Sequence, residues 1–439
     1  MYIEEKRSII FIMDRFEVIV IGAGPAGVSS AMVLARAGKK VLLVERGDKA
    51  GDKNVFGGTI YAQQTADIFP DFWKSAPLER SIVEQKIFML TDTNSSEFSY
   101  KYKKDEHKAF SIIRSKWDNW AVSQVVDAGA YYAPKTLVKQ LIIEDGKVLG
   151  VQTEFEKIYS DIVIIADGVN SIFAKQIGLR NDIKDKDVSL SVKEVIELPK
   201  ERIEDRFNLD DETGCACKIL GGPLKNKMAL GFMYTNKNTV SIGFSMCIDD
   251  FKKCKLKPYE VLEQLKSHPT ISAYIKGGKV IEYSSHLLPE GGYNAIPKLY
   301  DNRVMIVGDA GMLVNNIHFE GTNLAMLSGK LAAETAIDAL DRQDCSASTL
   351  KEYYKKLQNS IVIKDMRTHK NTISTIKKNI STITSLYPEL ACQFFDIMSS
   401  ADCVPKRAKY RKFLATIIKK AMLPSIPLFI LAMEKCFKK

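Results

Sequence analysis

The stretch Glu17–Gly27, EVIVIGAGPAG, decides how the chain is read. Val18 to Ile21 form a short apolar run that breaks into Gly22, Gly24 and Gly27, the G-x-G-x-x-G spacing. Val28 to Ala37 read as a helix, with Ala31, Leu34 and Ala35 on one side. Strand, glycine turn and helix together make the arrangement that holds a dinucleotide pyrophosphate. Gly22 permits the tight turn, Gly24 keeps side chains off the phosphates, and Gly27 lets the helix approach the strand. Pro25 and Ala26 complete the turn, and the N-terminus of the helix after it offers unpaired N–H groups and partial positive charge to the anion. A second strand, Lys40 to Val44, ends in Glu45, placed to accept from a ribose hydroxyl. An isolated glycine fingerprint is weak evidence. The flanking strand, helix and acidic residue make the dinucleotide reading specific.

The chain has 439 residues, enough for two domains. Its 46% hydrophobic and 26% charged residues are ordinary for a globular protein. The 8 Cys are scattered, with no C-x-x-C, so neither a zinc ribbon nor a self-contained iron–sulfur site is visible and no metal is expected. Cys215 and Cys217 form a C-x-C, read as buried small hydrophobes. The start, MYIEEKRSIIFIM, lacks the features of a signal peptide. Residues 1–12 are expected to be a disordered or non-native extension, with Met13 as the start; a short extra strand is the alternative.

Gly47 to Tyr61 is too glycine-rich for a helix, and Gly57 and Gly58 keep a backbone approach to a flat ligand open. Ile82 to Phe110 look like strands. Arg114 opens a helix whose Trp117 and Trp120 are expected in the core. Ala130 to Ile165 read as a β meander with a hairpin at Asp145–Gly146, and the strand Asp161 to Ala166 ends in Asp167, Gly168 and Ser171. Val188 to Lys298 mix strands with a helix near Tyr259. A strand at Arg303 to Val307 ends in Gly308–Asp309, and a long helix runs from Thr322 to about Leu340. Three sites thus sit at the carboxyl ends of strands, where open parallel sheets bind ligands.

This trio resembles the two-domain FAD enzymes of the glutathione-reductase-like flavoprotein superfamily, in the branch of p-hydroxybenzoate hydroxylase. GDKNVFGGTIYAQ, ADGVNS, LGFMYTNKNTVSIGF and LLPEGGYNAIPKLYDNRVMIVGDAG further resemble the FixC proteins, similar to the flavin part of electron-transfer-flavoprotein:quinone oxidoreductase. The resemblance spans roughly Phe16 to His369. It implies an α/β fold: a Rossmann-type FAD-binding domain with a β-meander insert, an antiparallel β-sheet substrate domain, and a helical C-terminal region. The expected ranges are 13–80, 111–187 and 299–345 for the FAD domain, 81–110 and 188–298 for the substrate domain, and 346–439 for the rest. FAD is the implied cofactor, held by the glycine turn with Glu45 and Arg46, by Gly57 and Gly58, Arg114, Val138, Ala166, Asp167 and Gly168, and by Gly308 and Asp309. The implied activity accepts electrons from an electron-transfer flavoprotein (FixA/FixB-like) and passes them to a quinone. A separate ferredoxin-like partner, FixX, would carry the cluster this chain lacks. The loop MLVNNIHFEGTN departs from many relatives and leaves the acceptor open. Two alternatives stand: a flavin reductase of isoprenoid double bonds like the geranylgeranyl reductases, and an NAD(P)H-dependent aromatic hydroxylase.

A flavin carries its own redox chemistry, so the protein's part is tuning. Gly321, Thr322 and Asn323 should aim a helix N-terminus at the N1/C2 edge of the ring, where reduction gathers negative charge. Asn323 as a plain helix cap is the alternative. His318 is a candidate for proton movement, with a satisfied loop histidine as the alternative. His286, Glu290, Gly291 and Gly292 are expected to line the other ring face, or to be simple turns.

The net charge is +10. From Pro405 onward there are ten Lys or Arg and one acid, Glu434, so the excess is a basic tail and bulk nucleic-acid binding is excluded. Residues 410, 413, 414, 417, 418, 421 and 422 form one apolar helical face opposite Lys and Arg. The following run, Ala421 to Met433, is too short to span a bilayer. Residues 406–433 are expected to dock on an anionic membrane or a partner, or else to pack on their own domain. The expected location is cytoplasmic, with peripheral contact at the inner face of the cell membrane.

Overall fold

A computed structural model describes residues 15–52, 58–102, 108–210 and 212–421. Met13, Gly57 and the apolar run beyond Ala421 lie outside the described residues. In chain order come β1 (Arg15–Ile21), α1 (Pro25–Arg36), β2 (Val41–Val44), β3 (Thr59–Tyr61), β4 (Leu78–Leu90), β5 (Ser95–Lys101), β6 (Ala109–Ile112) and α2 (Arg114–Asp127). Next are β7 (Tyr131–Ala133), β8 (Val138–Glu144), β9 (Lys147–Thr153), β10 (Lys157–Ile165), β11 (Val188–Glu197), β12 (Thr213–Gly221), β13 (Ala229–Thr235), β14 (Thr239–Cys247) and α3 (Pro258–Ser267). Then follow β15 (Lys279–Pro289), β16 (Tyr300–Asp301), β17 (Val304–Ile306), α4 (Thr322–Asp341), α5 (Ala347–Asn359), α6 (Ile361–Thr368), α7 (Tyr387–Ser399) and α8 (Lys406–Ala421).

The chain divides into two compact units: 1–79, 108–188 and 286–370 form the first, and 80–107, 189–285 and 371–439 the second. In the first, a sheet runs in the order β16–β17–β10–β1–β2–β7, with β9 on β10 and β8 on β9. The apolar runs of β1, β2 and β10 are buried on both faces, as a covered parallel sheet requires. Its register fixes the ligand end. Ile21 lies opposite Val44 and Ile165, and Ile165 opposite Ile306, all in parallel pairs. The turns after β1, β10 and β17 therefore leave the sheet side by side.

Helices α1 and α4 approach closely because their facing residues are small. A Cβ on Gly329 would stand 2.2 Å from the carbonyl oxygen of Ala26. Ser30 Oγ donates to the Gly329 carbonyl at 3.0 Å. Trp117 is buried, with Phe69 and Phe72 edge-on to it, and Trp120 packs beside it, which matches their expected core role.

Three boundaries move. Residues 346–370, expected in a separate C-terminal region, complete the core of the first unit through Leu350, Tyr353, Leu357 and Val362. Tyr353 Oη donates to the Ile306 carbonyl at 2.9 Å, a bond between residues 47 apart in the chain. Residues 286–298 and 108–110 also fall in the first unit rather than the substrate domain.

The second unit carries β15–β11–β14–β13–β12–β4, with β5 on β4. β11 with β14, β14 with β13, β13 with β12 and β5 with β4 pair antiparallel, and β4 with β12 pairs parallel. Its core gathers Phe88, Val192, Phe207, Met233, Phe244 and Leu265. Arg80 is fully buried there, donating to the carbonyls of Asn236, Thr213 and Lys237 and to Glu204. Cys215 and Cys217 lie in this core with sulfurs 3.6 Å apart, and burial pushes the Cys217 thiol up, away from reactive thiolate.

Candidate functional site

The glycine turn is built as its spacing requires. Gly22 has φ +106°, and a Cβ there would sit 2.4 Å from the Ala166 carbonyl oxygen. A Cβ on Gly27 would sit 1.8 Å from the Gly22 oxygen, so only glycine lets α1 begin this close to β1. Gly24 is the N-cap of α1 with no side-chain cap, and Pro25 fills the first turn. The N-terminal N–H groups of α1 point out of the turn without a side-chain competitor. Glu45 braces the same turn. Its Oε2 accepts from Ala23 N at 3.0 Å and its Oε1 from Gly47 N at 2.7 Å. The carboxylate is thus held in place, with one lone pair per oxygen left for a ribose hydroxyl. Arg46 is exposed beside it.

The other two tips present buried carboxylates. Burial pushes Asp167 up to about 6, partly opposed by the backbone N–H of Phe173, which donates to Oδ2 at 3.4 Å. Its Oδ1 has no partner among the described residues. Burial pushes Asp309 up to about 6 as well, partly opposed by the Arg114 guanidinium. No described group donates a hydrogen bond to its carboxylate. Gly168 has φ +75° with open space where a Cβ would be. Gly308 has φ +61°, and its N–H is held by Ser328 Oγ at 2.9 Å.

Arg114, at the start of α2, grips Asp118 through Nε–Oδ1 at 2.9 Å and Nη2–Oδ2 at 2.7 Å. Burial raises the Asp118 carboxyl and Arg114 counters it. His286 lies near Arg114 and Arg46: burial, then those two cations, push it down to about 4. It is therefore neutral at neutral pH and adds no cation.

Arg180 has no distinguishing motif in the sequence. It is largely buried, donating from Nη1 to the carbonyls of Val169 at 3.0 Å and Ala310 at 3.2 Å. It ties the loop after β10 to the loop after β17. Its Nη2, together with Ser171 Oγ, is buried without a partner among the described residues.

At the start of α4, Gly321 is the N-cap without a side-chain hydrogen bond, and the first turn has no acidic residue. Asn323 is 2% exposed; neither its Nδ2 nor its Oδ1 makes a well-formed hydrogen bond among the described residues, and the amide lies close enough to Glu320 to lower that carboxyl. Asn323 is therefore not the helix cap. A Cβ on Gly321 would meet only Val314, at 3.9 Å.

Three expected residues sit otherwise than a ligand contact suggests. Val138 has its side chain in the hydrophobic core, leaving only backbone for a ligand. Gly58 is buried, and its carbonyl accepts from Ile112 N at 2.8 Å. Gly291 is bare for packing, since a Cβ would stand 2.2 Å from that of Ala295, and Glu290 is held by Asn316 Nδ2 at 2.5 Å. The 290–292 segment is a packed turn.

These observations test the cofactor. Two carboxylates with unfilled acceptor positions, Asp309 and the Oδ1 side of Asp167, suit hydroxyl groups, as a ribityl chain would give. A buried amide with hydrogen-bonding capacity to spare suits a group with both a carbonyl and an N–H, as an isoalloxazine edge has. An uncapped helix start and two arginines suit a pyrophosphate. FAD satisfies all three, and the residues fit it.

Comparison with known proteins agrees. Residues 15–206 match the family model described as FAD binding domain, and residues 188–288 the model described as ETF-QO, ubiquinone-binding. The chain is 38% identical over 412 residues to Protein FixC of Azorhizobium caulinodans, covering 92% of this chain and 95% of that one. It is 38% identical over 399 residues to a probable electron transfer flavoprotein-quinone oxidoreductase of Escherichia coli, covering 90% and 92%. Among solved structures, a geranylgeranyl bacteriochlorophyll reductase-like protein from Thermoplasma acidophilum superposes with a TM-score of 0.71 at 20% identity, covering 95% of this chain and 100% of that one; the likeness is one of fold. The chain is an FAD-dependent oxidoreductase with a quinone-binding type of segment, and it belongs to the FixC family.

Proposed function

We propose that this chain accepts electrons from an electron-transfer flavoprotein of the FixA/FixB type, carries them on its FAD, and delivers them to a quinone. A separate ferredoxin-like partner, FixX, would supply the iron–sulfur relay. The match of residues 188–288 to the ubiquinone-binding model carries the reading of the acceptor.

FAD supplies reversible two-electron chemistry. The chain's own residues hold and bias it. The Gly22–Gly27 turn and the α1 N-terminus hold the pyrophosphate, with Glu45 on the ribose. Asp309 and Asp167 accept from cofactor hydroxyls, and Arg180 keeps their two loops in register. The α4 N-terminus, through the N–H groups near Gly321 and Thr322 and the Asn323 amide, stabilises negative charge on the ring edge and so favours reduction. Among the described residues no helix is long and apolar enough to cross a membrane. Contact with the quinone's membrane is assigned to α8, which carries exposed Leu414 and Ile418 beside exposed Arg407, Arg411 and Lys412.

The test is anaerobic reduction of the purified flavoprotein by reduced electron-transfer flavoprotein or by NADPH, followed by addition of a soluble ubiquinone analogue. Bleaching by the flavoprotein donor and recovery of colour with quinone are expected. Rapid bleaching by NADPH alone would favour the hydroxylase alternative and overturn this reading.

A further inference from the structure

The loop between β17 and α4 places two histidines together. His318 Nε2 and His369 Nε2 stand 3.4 Å apart, with ring centroids at 5.2 Å and planes at 71°. His318 is exposed, whereas His369, just after α6, is largely buried. The loop is fixed from within. Asn315 and Glu320 exchange backbone hydrogen bonds at 2.9 and 3.1 Å, and Asn315 Oδ1 accepts from the N–H groups of Ile317 and His318. Glu320 then leads directly into Gly321 and the first turn of α4. The exposed ring of the pair thus sits on the loop that runs into the helix start assigned to the flavin edge, and the buried ring backs it.

We propose that His318 and His369 form a one-proton pair that takes a proton from solvent each time the cofactor gains two electrons and gives it up when those electrons leave. This rests on the electron-transfer reading above. Atoms and charge balance as follows. A quinone becoming a quinol consumes two electrons and two protons. FAD holding two electrons near neutral pH takes one proton on its ring and keeps one negative charge. The pair takes the second proton, and both protons leave with the electron pair.

The geometry limits the pair to one added proton. With two Nε2 atoms at 3.4 Å, one ring must donate and the other accept. In the neutral pair the shared proton serves that bond. A first added proton goes to a ring nitrogen outside that bond, so the resulting imidazolium still donates across it to the neutral ring, with carboxyl groups nearby; a second would set like charges against each other. The charged groups around it come from both packed elements. Glu320 belongs to the loop. Asp365 and Arg367 belong to α6, and Arg367 is turned onto the Tyr293 ring at 5.7 Å. Burial, helped by Asp365, raises the Glu320 carboxyl, while His318 and a hydrogen bond from the Asn323 side chain lower it. Glu320 and Asp365 thus place carboxyl groups beside the pair. Negative charge arriving at the α4 start would draw a proton towards it, and an imidazole is the side chain suited to respond near neutral pH.

The flavin midpoint potential is measured electrochemically from about pH 6 to pH 8, and its slope gives protons taken up per electron pair. The wild type is expected to take up two, and H369Q and H318Q/H369Q one, with flavin content unchanged. Histidine NMR on oxidised and reduced wild type should show one imidazole gaining a proton on reduction. E320Q leaves both rings in place and should shift the loss of the second proton to lower pH. An identical proton count in wild type and double variant overturns the proposal. So does a stoichiometric metal found between the rings. Because the electrode drives the flavin directly, loss of turnover with the flavoprotein donor or quinone leaves this result standing, and the two readings fail separately.

Discussion

Asp309 shows a side chain kept in an unfavourable state for a ligand. Its carboxyl rises from 3.8 to about 6 through burial, which amounts to roughly 3 kcal/mol against the charged form. The sign follows from linkage. Between about pH 4 and 6 the folded protein holds a proton that the unfolded chain has lost, so stability falls as pH rises through that window and the deficit persists above it. Asp167 behaves the same way. Asp309→Asn should therefore raise the melting temperature of FAD-free protein at pH 7 and flatten its decline between pH 4 and 6, while FAD retention on a desalting column drops. A variant that is both more stable and fully flavinated would remove Asp309 from the site. Asn323→Ala belongs to the same scale: with its amide gone, the flavin potential should fall, and an unchanged potential would end its assigned role. Both residues were legible because they follow a strand or start a helix in recognisable motifs. Arg180 and His369 were not. Arg180 reaches a carbonyl 130 residues away, and His369 meets His318 across 51 residues, distances at which local pattern carries no signal.

At the level of elements, the site depends on how near two helices come to the sheet and to each other. Small residues set that distance on both: Ala26, Gly27 and Ser30 on α1, Ala325 and Gly329 on α4. Gly329→Ala would drive a methyl group to 2.2 Å from the Ala26 carbonyl, which is backbone and cannot swing away. The helices must separate, at a cost of about 1–3 kcal/mol. In the proposed function α1 and α4 present their N-termini to the cofactor, and on that reading FAD affinity should drop with stability. Thermal melts with and without excess FAD measure both. A melt equal to wild type would show that the contact is not tight. The strand–turn–helix unit and the three strand tips were readable because periodicity and glycine spacing are local. The parallel pairing of β4 with β12, and the return of α5 and α6 to the first unit, were not. They are decided by which apolar face finds cover, and sequence proximity does not encode that.

For the whole molecule, the charge asymmetry sets the last expectation. In the second unit, α7 and α8 pack through Phe394 and Phe413, with ring centroids 6.2 Å apart. That contact uses part of the apolar face of α8. Phe395, Met398, Leu414 and Ile418 remain 54%, 55%, 54% and 60% exposed, too large a set of bulky side chains to leave facing water without a function. Exposed Arg407, Arg411 and Lys412 border it, while Lys409 is held by Asp402 at 2.5 Å. Apolar side chains flanked by free cations suit a bilayer with anionic headgroups, where each basic residue near the surface adds about 1 kcal/mol. Leu414→Glu with Ile418→Glu changes only exposed positions, so folding and flavin content should persist. Flotation with vesicles of mixed neutral and anionic lipid should fall at least tenfold for this variant and for a chain truncated after Val404. Raised salt should weaken wild-type binding, since the cationic share is screened. Equal flotation of all three proteins would return α8 to the alternative in which it packs on its own domain with a solvated basic face.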